Sequence, residues 1–381
     1  MTDIGLYVHV PFCPRKCGYC DFYSITPSDS LVRDYIDAVL TELDAALADN
    51  RLHVETIFVG GGTPSFLPES SLARLMGRLA HISRTHHPIE FSVEANPASL
   101  TGDKAVLLRQ AGVTRISMGA QSFVGAELQM LDRLHGPDDI AAGVELVRRV
   151  GFEHLNLDLI FGIPGQTLRT WSQSLDAAVD LGPDHVACYG LTYEPGTPLT
   201  LRRDSGQITP LDEDLETEMY LQAIDRLAAS GFQQYEISNF ARPGGQCRHN
   251  LRYWRGQPGI GVGPAAAGYL DGCRWRNVVS VADYVGRIRS GQATAVDVER
   301  LDPLGRAGEA AMLRLRMTDG IRCEEFQALT GYDPRALFAD AIENHIRTGL
   351  LTVDHNQIAL TRKGLPLADA VVRDFLKPTG P

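Results

Sequence analysis

The chain has 381 residues, 44% of them apolar, which suffices for one large catalytic domain and a small appendage around a substantial core. Its formal charge of -11 excludes a general polyanion binder, because nucleic-acid affinity rests on Lys and Arg neutralising phosphates. No run approaches the roughly 20 uninterrupted apolar residues that span a bilayer, and seven cysteines, three clustered and four scattered (Cys188, Cys247, Cys273, Cys323), fit a reducing, cytoplasmic compartment better than a disulfide framework.

The first strand-like segment begins at Ile4, and Leu6 to Val10 is its apolar part; no basic region and apolar run precede it, so no secretory signal is expected. It runs into Cys13-Pro14-Arg15-Lys16-Cys17-Gly18-Tyr19-Cys20-Asp21-Phe22. Spacings of three and then two residues let a tight loop turn three thiolates toward one point, as an iron-sulfur cluster or a soft metal requires. Three protein ligands leave one iron of a 4Fe-4S cubane open to a small molecule. The alternatives are unligated thiols or a structural zinc loop; the latter normally closes with a fourth Cys or His at short spacing, and none follows before His53.

From residue 4 to about 230 a short apolar strand, a Gly- or Pro-rich turn and an amphipathic helix alternate. Further strands are expected at Thr56 to Val59, Glu90 to Val93, Arg115 to Met118, His154 to Leu159 and His185 to Tyr189. Helices are expected at Ser30 to Leu47, where Leu31, Tyr35, Val39, Leu40, Leu43 and Leu47 mark one stripe, and at Ser70 to Ile82, Thr101 to Ala111, Pro137 to Val150, Thr167 to Leu181 and Asp212 to Ala229. Six such units imply an α/β fold with a parallel sheet and right-handed crossovers, either a curled partial barrel or an open doubly wound sheet; the count does not reach an eight-unit barrel. Strand alternation sets Glu94, Gln121 and Asp158 on the face opposite the apolar residues, near the strand tops where parallel sheets bind ligands. The second strand enters Gly60-Gly61-Gly62-Thr63-Pro64, where missing side chains let the backbone approach a ligand.

After about residue 235 the alternation stops. Tyr235 to Phe240 reads as one more strand, and a Gly- and Arg-rich stretch through Gly268 reads as an extended loop or ligand-binding lid. Residues 241 to 300 hold nine Arg against four acids, and near their start Cys247-Arg248-His249-Asn250-Leu251-Arg252-Tyr253-Trp254-Arg255 supplies an imidazole, two aromatic faces and guanidinium groups. Those are the groups a heme with two propionates needs, although one His beside aromatics is ordinarily a packing residue. The last stretch reads as helices over Arg306 to Arg316, Glu324 to Thr330 and Pro334 to Thr348, a hairpin over Leu350 to Thr361 and a helix over Lys363 to Phe375: a winged-helix-like α+β domain. Its ten Lys and Arg against eleven acids favour packing or partner docking over DNA.

CxxxCxxC after the first strand, with the glycine turn after the second, resembles the radical S-adenosylmethionine (SAM) enzymes. The resemblance covers most of the chain and implies a partial (β/α)6 parallel barrel over 1-235, a connecting segment over 236-300 and the winged-helix-like domain over 301-381. It implies that Cys13, Cys17 and Cys20 bind a 4Fe-4S cluster whose open iron is chelated by the amino and carboxylate groups of SAM. It also implies SAM contacts from Tyr7, Tyr19, Gly61, Gly62, Thr63, Glu94, Gln121, Arg133 and Asp158, with Arg133 for the carboxylate and the acids for the amino group and ribose.

Within that superfamily the chain is similar to the branch of oxygen-independent coproporphyrinogen III oxidases and HemW-type heme chaperones. The oxidases decarboxylate two propionates of coproporphyrinogen III by radical chemistry; the chaperones bind heme and pass it on. Three departures from the oxidase pattern favour the chaperone. Phe22 stands where the oxidase motif continues with a fourth cysteine, Cys13 comes without the oxidases' long preceding extension, and His249-Asn250-Leu251-Arg252-Tyr253-Trp254 resembles the chaperones' HNxxYW motif, whose His249 equivalent is implicated in heme binding. The resemblance thus implies heme as a ligand and acceptor hemoproteins, respiratory ones among them, as partners, with room for peripheral membrane contact and a homodimer and none for nucleic acid.

Overall fold

The structure, a computed structural model, describes residues 1–376. Six parallel strands, β1 (Thr2–Val10), β2 (Leu52–Gly61), β3 (Glu90–Ala95), β4 (Arg115–Gln121), β5 (His154–Phe161) and β6 (His185–Gly190), lie side by side in sequence order. The helices α1 (Asp29–Ala46), α2 (Glu69–His86), α3 (Gly102–Gln110), α4 (Gly125–Met130), α5 (Pro137–Val150) and α6 (Leu168–Asp180) fall in the crossovers between them. Their ends follow local chemistry: the hydroxyls of Ser28, Thr101 and Thr167 accept N–H groups of the first turns of α1, α3 and α6, and Gly151 closes α5 in the left-handed conformation.

Period-two alternation divides the strands. Leu6, Val8, Val10, Ile57, Val59, Phe91, Val93, Leu155 and Leu157 are buried in one core with the helices. The opposite face carries Tyr7, His9, Phe58, Ser92, Glu94, Ser117, Asn156 and Asp158; register sets Tyr7 beside Phe58, Phe58 beside Ser92, and Ser117 beside both Glu94 and Asn156. This is the expected partial barrel with a polar lining.

Beyond β6 come α7 (Pro198–Asp204), α8 (Glu213–Ala229), β7 (Gln233–Gln234) and β8 (Asn239–Ala241). The strand expected over Tyr235 to Phe240 is thus two short antiparallel pieces, with β8 paired to β6. The expected loop or lid up to Gly268 is corrected more strongly. It contains α9 (Arg248–Trp254), β9 (Gly259–Val262) and the start of β10 (Ala267–Leu270); β11 (Cys273–Asn277), α10 (Val281–Arg289) and β12 (Ala295–Glu299) follow. β9 pairs in parallel with β1, and the sheet continues in the order β9, β10, β11, β12. Close backbone packing explains the glycines: a Cβ on Gly261 would lie 2.2 Å from the Ala267 carbonyl, and one on Gly268 2.4 Å from the Trp275 ring.

A separate core is built by α11 (Pro303–Leu315), α12 (Cys323–Thr330), α13 (Pro334–Leu337), α14 (Ala339–Arg347) and α15 (Ala368–Arg373) around β13 (Ile321–Arg322), β14 (Leu351–Val353) and β15 (Gln357–Leu360). β15 lies between β13 and β14, all antiparallel. The single helix expected over Pro334 to Thr348 breaks at Phe338, where the backbone leaves the helical region (φ -117°, ψ 26°). No helix among the described residues is long and apolar enough to cross a membrane.

Candidate functional site

The cysteine loop is tied down at both ends. The Cys13 N–H donates to the Ile25 carbonyl (3.1 Å), the Ile25 N–H donates to Pro11 (2.9 Å), and the Leu199 N–H reaches Gly18 from across the barrel mouth (2.8 Å). All three sulfurs are free thiols and partly exposed. Burial above all, with Cys17 and Cys13 close by, pushes the Cys20 thiol up to about 11. Among the described residues no three His, Cys, Asp or Glu side chains gather tightly enough for one metal ion. A cubane's three thiolate ligands bind three different irons, so they stand farther apart than the ligands of a single zinc.

The loop joins the polar face of the barrel through two residues. Thr63 Oγ1 lies 3.3 Å from Cys13 Sγ, and Arg133 Nη1 lies 3.6 Å from Cys17 Sγ. Arg133 Nη2 donates to the Gly119 carbonyl (2.9 Å), while its Nε is buried without a partner. An orphaned guanidinium N–H beside the cluster loop is what a small carboxylate would satisfy. Gln121 folds back over Gly119, a Cβ on which would meet Gln121 Nε2 at 2.8 Å and Arg133 Nη2 at 3.3 Å. Gln121 itself has φ 68°, an unusual conformation for a side-chain-bearing residue, at the point where the β4–β5 register shifts.

The glycine turn forms the opposite wall. Gly61 has φ 103° and its N–H donates to Glu94 Oε2 (3.0 Å); a Cβ on Gly60 would lie 2.8 Å from the same carboxylate, and one on Gly61 2.4 Å from His9. Burial, reinforced by the charge of Asp158, pushes Glu94 up to about 8. Burial also raises Asp158 to about 6, against the Asn156 amide (2.7 Å) and the Arg133 charge that hold it down. Two desolvated carboxyls so placed favour a cationic ligand, and the orphan N–H, the bare glycine wall and the acid pair together fit the zwitterionic, sulfonium-bearing SAM.

Tyr7 and Tyr19 complete this mouth. Tyr7 donates its hydroxyl to His9 Nδ1 (3.0 Å), because His9 Nε2–H is committed to the Tyr23 carbonyl (2.9 Å). Burial raises the Tyr19 phenol, which shares its surroundings with Arg133, Cys17 and Asp158. His9 is a participant that the sequence reading missed; its signal was its place two residues from Tyr7 on the same strand face.

His249 is set apart from this group. It is 1% exposed, in α9, with Nδ1 2.9 Å from Thr56 Oγ1 and Nε2 3.2 Å from the Tyr253 hydroxyl, and its ring stacks on Phe58 at 5.2 Å. Thr56 lies four residues before Gly60 on β2, about 13 Å down the strand. As folded, both imidazole nitrogens are engaged. Glu90, 2% exposed, anchors the start of α9 by accepting the Arg248 N–H (2.8 Å) and His249 N–H (3.2 Å), and it pairs with Arg115 (3.3 Å).

The radical SAM superfamily model matches residues 7–178, and the HemN C-terminal domain model matches residues 301–367. The chain is 39% identical over 376 residues to the heme chaperone HemW of Mycobacterium tuberculosis (strain ATCC 25618 / H37Rv), covering 98% of this chain and 94% of that one. The chain belongs to the HemW family of radical SAM proteins. It is also 34% identical to the heme chaperone HemW of Bacillus subtilis (strain 168), with 97% and 98% coverage, and 35% identical to that of Escherichia coli (strain K12), with 99% of each chain covered. Among solved structures, coproporphyrinogen III oxidase (HemN) from Escherichia coli superposes with TM-score 0.85 at 23% identity, covering 99% of this chain and 90% of that one, which shows a shared fold. Every residue at the barrel mouth discussed above, from Tyr7 to Asp158, lies within the matched radical SAM region, whereas His249 lies outside both matched regions.

Proposed function

We propose that this chain is a heme chaperone that binds heme and passes it to acceptor hemoproteins, carrying a 4Fe-4S cluster and SAM. The observation that carries the reading is its similarity along almost the whole chain to HemW proteins of distant bacteria. Cys13, Cys17 and Cys20 would hold the cluster. Arg133 would take the SAM carboxylate on its unpartnered Nε, Glu94 and Asp158 its cationic and ribose groups, Gly61, Gly62 and Thr63 would line its approach, and Tyr7, Tyr19 and Gln121 would pack around it. SAM on an iron-sulfur cluster supplies one-electron chemistry when bound. Labour divides along the chain: 1-235 carries cluster and SAM, 236-300 presents the HNxxYW helix, and 301-381 serves as a packing or docking module. Seven free thiols suit the cytoplasm.

The competing reading is a coproporphyrinogen III oxidase. Phe22, where that enzyme's motif has a cysteine, is 69% exposed beside the loop and offers no ligand. Anaerobic reconstitution followed by a hemin titration and a parallel coproporphyrinogen III assay separates the two. Stoichiometric hemin binding without decarboxylation supports the chaperone; decarboxylation at enzymatic rates overturns it.

A further inference from the structure

A line of hydrogen bonds runs from the start of α9 to the carboxyl of Asp158. The N–H of Cys247, immediately before α9, donates to the Tyr235 hydroxyl (3.4 Å), and that hydroxyl lies 2.8 Å from His185 Nε2. His185 Nδ1 lies 2.6 Å from Asn156 Oδ1, while Asn156 Nδ2 donates to Ser117 Oγ (2.8 Å) and to Asp158 Oδ1 (2.7 Å). Strand register sets Asn156 beside His185, on the polar face that Asp158 joins two residues later. Cys247, Tyr235, His185 and Asn156 are all buried, so water does not compete for these bonds.

The line has one direction. A carboxylate oxygen only accepts, so the Asn156 amide turns Nδ2 toward Asp158 and Oδ1 toward His185. Oδ1 needs a donor, which puts the imidazole proton on Nδ1 and leaves Nε2 bare for the Tyr235 O–H. The Cys247 N–H agrees with that assignment, because Tyr235 accepts it and still has a proton to give to His185. Burial, with the Arg115 charge close by, pulls His185 down to about 3, so the ring is neutral near pH 7.

Ser117 does not orient the amide by itself. Its hydroxyl donates as readily as it accepts, so it satisfies either end of Asn156. His185, through Nδ1–H, is what holds Oδ1 away from Asp158. With that donor withdrawn, the amide can turn over and aim an oxygen at the carboxylate, which must then move.

We propose that His185 is a positioning residue for SAM: acting through Asn156, it fixes the Asp158 carboxylate in the orientation that receives the ligand. The inference rests on the assignment of Asp158 to SAM and adds the residues that support it from behind. His185 and Tyr235 lie outside both matched family regions, residues 7–178 and 301–367.

The test is calorimetric titration of SAM into the full-length, cluster-reconstituted protein, with variants compared at equal iron and sulfide content. His185→Gln carries its amide out to where Nε2 stood, toward Tyr235, and leaves Asn156 without its N–H; the SAM Kd should rise about fivefold or more. His185→Leu, apolar and close in size, should do the same. His185→Asn carries its amide to the place of Nδ1 and should keep the Kd within about twofold of wild type, even though it leaves Tyr235 without its acceptor and lowers the thermal midpoint. In an Asp158→Ala background, itself weaker for SAM, none of the three should change the Kd by more than about twofold further. Wild-type affinity in His185→Gln and His185→Leu, or an equal loss in His185→Asn, overturns the positioning role, and a loss in Asp158→Ala then leaves the SAM assignment standing. Unchanged affinity in Asp158→Ala overturns that assignment and this inference together.

Discussion

Thr56 Oγ1 lies 2.9 Å from His249 Nδ1, on the same strand face that four residues later becomes the glycine wall of the barrel mouth. One strand therefore orients the HNxxYW histidine at one level and lines the cofactor site at another. Phe58, between them, stacks on His249 and packs against Tyr7 at 6.2 Å. The two ends of the barrel are joined by packed rings and yet chemically distinct, so each should be removable without the other.

Changing Cys13, Cys17 and Cys20 together to Ala should abolish the broad brown absorption of reconstituted protein and leave hemin affinity within about twofold. The loop contributes its sulfurs to the mouth, while α9 is anchored by Glu90 and Thr56. Iron and acid-labile sulfide analysis beside the hemin titration checks both halves.

Arg133→Met should weaken SAM binding tenfold or more, since a hydrogen bond to a charged group is worth about 1.5–3 kcal/mol. Arg133→Lys should recover only part, lacking the planar fork. Calorimetric titration of SAM into cluster-loaded protein measures this, and an unchanged Kd in Arg133→Met would remove the proposed carboxylate contact.

Glu94 gives the SAM-free protein a pH dependence of definite sign. Its folded carboxyl stands at about 8 through burial and the neighbouring Asp158, against an unfolded value of about 4.3. Between those values the folded chain keeps a proton that the unfolded chain has lost. The contribution is therefore fully present below the unfolded value and is lost as pH rises through about 8. Asp158, raised to about 6, acts in the same direction. Glu94→Gln should flatten the decline and raise the thermal midpoint by a few degrees at alkaline pH, with little effect in mild acid.

Glu90→Ala should destabilise the fold by about 3–5 kcal/mol, because it strands the buried Arg115 guanidinium. It also frees the first N–H groups of α9. The paired substitution of Glu90 and Arg115 by Leu and Met should cost less than Glu90→Ala alone. Denaturant unfolding measures the difference.

The barrel was legible because its signals are local. Apolar alternation and hydroxyl caps at Ser28, Thr101 and Thr167 mark each unit, and the same alternation placed Glu94, Gln121 and Asp158 on one face. The added strands β9 to β12 were not legible, because all four are short and β9, Gly259–Val262, owes its place to pairing with β1, some 250 residues earlier in the chain. The burial of His249 was hidden for a related reason. Seven residues of α9 show no resolvable period, and the partners that bury it, Thr56, Phe58 and Glu90, are distant in sequence. Strand alternation pointed to Glu94, Gln121 and Asp158, while only long-range packing could show that Thr56, Phe58 and Glu90 enclose the HNxxYW histidine.

Heme handover measures transfer directly. Reconstituted protein loaded with one equivalent of hemin is mixed with an apo-hemoprotein whose holo form has a distinct Soret band. For a chaperone the acceptor band grows in while the donor band decays, faster than hemin dissociates from the donor into a heme-scavenging control. Handover no faster than that dissociation, or a donor that retains no hemin, would contradict it.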